Sequence, residues 1–181
     1  MILIVDLNSK KVSLGFTEFV LPLVTIVEKL EPCEIKHYTE IKSEKINNYS
    51  KIILSGTPLK ENEYRMNIKR FDWIDQCNRP ILGICAGFQV IGAVFNSAFQ
   101  KCQEIGLKEI KTLKENPLFA SNFKAYELHN YTIKPSKTFE ILATSDKCIQ
   151  GIKHKEKGIY GVLFHPEVRN KEIVKYFVLR I

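Results

Sequence analysis

Three short runs of unbroken apolar residues constrain this chain most: ILIV at residues 2–5, IIL at 52–54 and ILGI at 81–84. A strand that does not alternate has no face to turn toward water, so each run reads as a strand buried on both sides. The segments around them have other periods. FTEFVLPLVTIVEKL at residues 16–30 has helical spacing, and Pro22 inside it predicts a kink or a late start. CEIKHYT at residues 33–39 alternates like a further strand. Between residues 61 and 78, Tyr64, Ile68, Phe71, Ile74 and Cys77 fall three or four apart, which predicts one helix with a single buried stripe.

Strand, helix, strand, strand, helix, strand is the order of an α/β fold: a mainly parallel central sheet flanked by helices on both faces. After Phe95 the pattern changes. AFQKCQEIGLKEIKTL, AYELHNYTI, FEILATS, CIQGIKHK and GIYGVLFH are all strand-like, and predict a smaller mixed or antiparallel sheet in the second half. KEIVKYFVL at residues 171–179 closes the chain as a helix. With no linker and no repeat, residues 1–181 read as one domain.

Composition excludes several classes. A hydrophobic fraction of 45% and a charged fraction of 26% belong to a globular protein able to build its own core. No run reaches the roughly 18 apolar residues of a membrane span, and MILIVDLNSK lacks the plan of a signal peptide, so a cytoplasmic location is expected. The formal charge is +7, yet the lysines are interleaved with glutamates, as in KHKEK and RNKEIVK. That reads as solvated faces rather than a nucleic-acid surface. The five cysteines include no C-x-x-C pair, so no metal site is expected, and an odd count in such a chain predicts free thiols.

One cysteine is placed unusually. In LGICAGFQ, Cys85 stands between Gly83 and Gly87 where the third apolar run gives way to a helix. A nucleophile at a sharp strand-to-helix turn occupies a strained backbone conformation, and the turn brings the residues two before and two after it so close that side chains there would collide. The helix N-terminus lowers the thiol pKa, and the N–H of Ala86 is free to meet a developing oxyanion. The same pentapeptide also suits a buried cysteine between packing glycines, and a base elsewhere has to decide between the two.

Of the four histidines, His37 in an outer strand and His154 in KHKEK read as surface residues. His165 stands in YGVLFHPEV, where an apolar strand ends at His-Pro-Glu. An extended backbone through Pro166 would put His165 and Glu167 on one side. A carboxylate beside an imidazole fixes its tautomer and stabilises its protonated form, so this tripeptide offers a base with its orienting acid.

GICAGFQ followed later by GVLFHPE resembles the class I glutamine amidotransferases, the triad glutaminases, whose fold is flavodoxin-like. The resemblance covers essentially the whole chain: LIVDLNS matches the opening strand, IILSGTP the glycine turn after the third strand, and FEILATSD with IYGVLFHPE the closing half. It implies Cys85 as nucleophile, His165 as general base and acid, and Glu167 as its orienting partner. It implies an oxyanion hole from the N–H groups of Thr57 and Ala86, beside Gly56. Gln89 and the segment Leu128, His129 and Asn130 match the positions that hold substrate.

The reaction implied is hydrolysis of L-glutamine through a γ-glutamyl thioester, without metal or organic cofactor, the ammonia passing to a synthetase. A chain of 181 residues leaves no room for that synthetase, so a separate ATP-dependent subunit is expected, with ATP and Mg²⁺ used there. The segment from FEILATSD to LFHPE is similar to the glutaminase portion of GMP synthases, which implies a partner that aminates XMP. Two positions depart from the family. Thr57 replaces the second glycine of a Ser-Gly-Gly-Pro turn, which would make a peptide flip harder, and Phe88 stands where a histidine is usual. Another amidotransferase, a related cysteine hydrolase such as a γ-glutamyl hydrolase or peptidase, and a non-catalytic regulatory subunit remain alternative readings.

Overall fold

The computed structural model describes residues Met1–Ile181. Strand β1 (Ile2–Asp6) leads through a π-helical turn (Phe16–Val20) into α1 (Leu21–Val27). Pro22 lies in the first turn of α1, where its missing N–H costs nothing, so the helix starts late, as its position predicts. Strands β2 (Cys33–His37) and β3 (Ile52–Leu54) follow.

The segment after β3 differs from the expected single helix. It breaks into α2 (Glu63–Met66), a 3₁₀ turn (Ile68–Phe71) and α3 (Trp73–Gln76). Asn67 leaves helical geometry at φ −109° and ψ 24°, and its side chain donates back to the Glu63 carbonyl at 2.9 Å, an asparagine competing with the backbone for its own helix. The apolar stripe still faces inward: Tyr64, Phe71, Ile74 and Cys77 are all buried.

Strand β4 (Ile81–Ile84) and α4 (Ala86–Val94) come next. Five strands complete the sheet: β5 (Ala98–Thr112), β6 (Phe123–Lys134), β7 (Phe139–Thr144), β8 (Ile149–His154) and β9 (Ile159–Val162), and α5 (Lys171–Arg180) ends the chain. The order across the sheet is β2-β1-β3-β4-β9-β8-β7-β5-β6. The first five of these run parallel, and the remaining pairings are antiparallel. The expected α/β architecture is therefore present, and the antiparallel half continues the parallel sheet through β9 and β8.

The apolar runs are buried on both faces. Leu3, Val5, Ile52, Leu54 and Ile81 point into one core with Tyr64, Phe71, Phe88 and Ile91, under α2 to α4. Ile2, Ile4, Ile53, Leu82 and Ile84 point into the other with Leu23, Ile26, Ile173 and Phe177, under α1 and α5. Adjacent residues of one strand thus serve opposite cores, which is why the runs do not alternate. No helix is long and apolar enough to cross a membrane.

Two expectations about side chains are corrected. His37 and His154 are buried rather than at the surface. His37 uses both ring nitrogens, Nε2 on the Asn8 carbonyl and Nδ1 on Thr39 Oγ1, each at 2.7 Å. His154 Nδ1 accepts from the N–H groups of Glu156 and Lys157, each at 3.1 Å, while its ring packs on Phe95. Burial, then the charge of Lys157, holds this imidazole below its ordinary pKa. Both rings satisfy turn backbone, a use that charge patterning does not reveal. The expectation of free thiols holds for Cys33, Cys77 and Cys85 and fails for Cys102 and Cys148, which form a disulfide with Cα atoms 6.8 Å apart. Strand β5 and the turn before β8 bring the two together across a separation of 46 residues.

Candidate active site

The site lies at the carboxyl ends of β3, β4 and β9, where an open parallel sheet presents its loops. Cys85 is the residue between β4 and α4, with φ 48° and ψ −96°. A non-glycine residue there is strained, and the surroundings must hold it. The N–H of Cys85 donates to the Val162 carbonyl of β9 at 2.9 Å, and its carbonyl accepts from Gln89 at 3.1 Å. The flanking glycines are sterically required. A Cβ on Gly83 would lie 2.5 Å from the Gly87 carbonyl group, and one on Gly87 would lie 2.6 Å from the Leu54 carbonyl oxygen.

Gly56 joins the remote halves of the site. A Cβ there would lie 2.6 Å from His165 Cε1 and 3.5 Å from Cys85 Cβ, so the two side chains sit against the same backbone atom. His165 is fully buried, its ring packed on Phe19 at 4.8 Å between centroids and its N–H donating to the Tyr126 carbonyl at 2.9 Å. His165 Nδ1 meets Glu167 Oε1 at 2.7 Å, while Nε2 has no hydrogen-bond partner of good geometry. The pairing arises differently from the expected extended strand. Residues 166–168 form a turn, closed by Val168 and Arg169 N–H groups on the His165 carbonyl at 3.2 Å each, and Pro166 suits its early position.

Burial alone would lower the pKa of His165. The charges of Glu167 and Cys85, with the hydrogen bond to Glu167, outweigh it and hold the imidazole well above its ordinary value of 6.5.

The cleft over Cys85 is lined by Thr57, Pro58, Leu59, Tyr64, Gln89, Leu128, His129, Asn130 and Tyr131, among others. Leu128, His129 and Asn130 belong to β6 and reach the cysteine from the antiparallel half; the thiol donates to the Leu128 carbonyl at 3.7 Å. The cleft is narrow, about 10 Å³, close to the space of one water. Asn130 Nδ2 donates across it to the Leu59 carbonyl at 3.3 Å. The N–H groups of Thr57 and Ala86 make no hydrogen bond within the chain, and Thr57 Oγ1 donates to the Glu61 carbonyl at 3.4 Å.

Sequence reasoning missed three participants. Tyr64, counted only as part of a core stripe, donates its hydroxyl to Gln89 Oε1 at 2.9 Å, and Gln89 Nε2 donates to the Tyr131 carbonyl at 2.9 Å. Both ends of the Gln89 amide are thereby occupied by the cleft wall. Burial, then the charge of Cys85, raises the Tyr64 hydroxyl pKa far above the ordinary tyrosine value. Glu104 and Glu127 flank His129 Nε2 at 3.8 and 3.1 Å, all three buried. Nothing in their spacing announces this, because it depends on the pairing of β5 with β6.

Residues 19–178 match the family model for glutamine amidotransferase class-I. The chain is 37% identical over 145 residues to a glutamine-hydrolyzing GMP synthase subunit from Pyrococcus abyssi, covering 76% of this chain and 77% of that one. It is 36% identical over 161 residues to the glutamine-hydrolyzing GMP synthase of Borreliella burgdorferi, covering 81% of this chain but 31% of that protein. Among solved structures, a candidate GMP synthase subunit from Thermoplasma acidophilum superposes with a TM-score of 0.84 at 26% identity, over 98% of this chain and 92% of that one. The chain is an enzyme of the class I glutamine amidotransferase family.

Proposed function

We propose that this chain is the glutaminase subunit of a two-subunit GMP synthase, hydrolysing L-glutamine to glutamate and ammonia through Cys85, His165 and Glu167. The observation that carries the reading is the meeting of Cys85 and His165 around Gly56, with Glu167 on the far nitrogen of the imidazole. Cys85 attacks the side-chain amide carbon of glutamine as thiolate. The developing oxyanion is met by the N–H groups of Thr57 and Ala86, both unpaired within the chain. His165 gives its proton to the leaving ammonia, then takes one from the water that releases glutamate, while Glu167 holds the tautomer throughout. None of these steps draws on a cofactor in this chain.

The narrow cleft adds a requirement. Glutamine enters only if the loop carrying Pro58 and Leu59 separates from Asn130 and Tyr131 of β6. Gln89, tied to Tyr64 and Tyr131, then carries the wall against which the substrate lies. The GMP assignment is supported by the relatives named as GMP synthase subunits and by the match to only part of the longer Borreliella protein. The ammonia acceptor is XMP on a separate cytoplasmic synthetase subunit, which uses the ATP and Mg²⁺.

The test combines this chain with an XMP-aminating synthetase subunit. Glutamine-dependent GMP formation and covalent labelling of Cys85 by a glutamine-mimicking electrophile are expected. Peptide or γ-glutamyl-peptide cleavage without glutamine turnover would overturn the reading, as would absence of labelling in the assembled complex.

A further inference from the structure

Two cysteines outside the proposed mechanism are joined next to the cleft. Cys102, half-buried in β5, is bonded to Cys148, buried before β8. The surroundings of the sulfurs suit the dithiol. Glu104 Oε2 lies 3.2 Å from Cys148 Sγ and accepts from Ser145 Oγ at 2.7 Å and Gln150 Nε2 at 2.8 Å. A thiol has a proton to donate to this carboxylate, whereas a disulfide sulfur has none. Reduction therefore adds a hydrogen bond that the oxidised pair lacks, and the buried carboxylate environment favours the reversible kind of disulfide over an inert one.

The location links the pair to the cleft. Cys102 sits in the break of register between Lys101 and Glu104, where β5 bulges against β6. His129 Nδ1 donates to the Cys102 carbonyl at 3.0 Å, and His129 Nε2 faces Glu104. The preceding residue, Leu128, accepts from the Cys85 thiol. The sulfur–sulfur bond is thus anchored at the bulge that borders this wall.

We propose that Cys102–Cys148 is a reversible exchange site for small thiols, and that its oxidised state fixes the β6 wall of the cleft over Cys85. The part concerning glutamine rests on the glutaminase reading. A small-thiol thiolate attacks Cys102 Sγ, on the more exposed residue of the two. The disulfide bond breaks, and Cys148 leaves with the electron pair and takes up a proton. A second small thiolate attacks the small-thiol sulfur of the mixed disulfide, releasing the small-molecule disulfide and Cys102, which is protonated in turn. The protein pair gains two electrons and two protons while two small thiols are oxidised; a small-molecule disulfide drives the reverse.

The purified full chain is equilibrated with reduced and oxidised glutathione in varied ratio, quenched with acid, denatured and alkylated. Cys33, Cys77 and Cys85 are the free thiols of the oxidised chain. Mass analysis is expected to show those three alkylated at the oxidising end, and Cys102 and Cys148 in addition at the reducing end, reversibly. A pair that resists excess reduced glutathione, or never re-forms with the oxidised form, overturns the exchange site. So does one equivalent of Zn²⁺ held by the reduced chain against a chromophoric chelator, since Cys102, Glu104 and Cys148 would then be metal ligands. For the wall, reduction is expected to change the iodoacetamide reactivity of native Cys85 several-fold, and to raise KM for glutamine several-fold with kcat nearly constant. Unchanged Cys85 reactivity overturns this part. That reactivity is read without turnover, so an absence of glutaminase activity would defeat the functional reading and leave the exchange site to be judged by mass and labelling.

Discussion

His165 Nδ1 and Glu167 Oε1 are 2.7 Å apart in a fully buried pair, two residues apart in sequence and joined by a proline turn. Glu167→Gln keeps the shape and removes the charge. The imidazolium loses its compensation, so glutamine hydrolysis is expected to fall by about 10²–10⁴-fold in kcat. Steady-state kinetics at saturating glutamine check this, and a loss under about tenfold would show that Glu167 is not the orienting group.

The same pair makes a statement about pH. The pKa of His165 is raised in the folded protein, so the stability it contributes is fully present below its ordinary value of 6.5 and is lost as pH rises through the folded value. Melting temperatures of the wild type and Glu167→Gln should therefore differ most at mildly acid pH, and converge as pH rises. A difference that grows with pH would contradict the assignment of charge.

Cys85→Ala removes the proposed nucleophile while leaving the sheet and helix α4 in place. In the complex with a synthetase subunit, glutamine-dependent synthesis should disappear and synthesis from added ammonium should persist. Glutaminase turnover near wild type would remove Cys85 from the reaction.

Thr57→Gly tests the departure at the proposed oxyanion turn. Thr57 is buried, and its hydroxyl ties the turn to the Glu61 carbonyl. Glycine releases both the β-branch and that bond, so glutaminase activity without a partner should rise several-fold. Unchanged activity would mean that the turn is not restrained at this residue.

Much of this architecture was legible because it depends on local rules. The unbroken runs marked the central strands, Pro22 marked the start of α1, and Gly83 and Gly87 marked the elbow at Cys85. Less legible was whatever depends on partners distant in sequence. Tyr64 shares its spacing with core residues, and only the approach of α4 gives its hydroxyl a receiver in Gln89. The bond between Cys102 and Cys148 and the flanking of His129 by Glu104 and Glu127 follow from strand pairing that periodicity does not specify. His165 and Glu167 meet as expected, but through a turn, because Pro166 is as well suited to a tight turn as to extended backbone.

The glycines at the elbow make a quantitative prediction. Alanine at Gly83 would place a methyl 2.5 Å from the Gly87 carbonyl group, and backbone cannot yield as a side chain does. Gly83→Ala should cost about 1–3 kcal/mol in denaturant unfolding and reduce Cys85 reactivity as α4 shifts. A variant with wild-type stability would show that the close approach is not required.

Glu127 provides the opposite case, a residue whose charge works against the fold. It is fully buried, its Oε2 lies 3.1 Å from His129 Nε2, and burial raises its pKa, with His129 opposing and Glu104 adding to the shift. A carboxylate raised in this way costs stability above its folded pKa, where it is charged, and costs nothing once protonated in both states, below its ordinary value of 4.5. Glu127→Gln removes that charge. Its melting temperature should exceed the wild type by several degrees near neutral pH, and the gain should vanish as the solution is acidified through the carboxylate range. A variant less stable than the wild type at neutral pH would show that the negative charge holds His129 in place, and that this wall of the cleft depends on an ion pair.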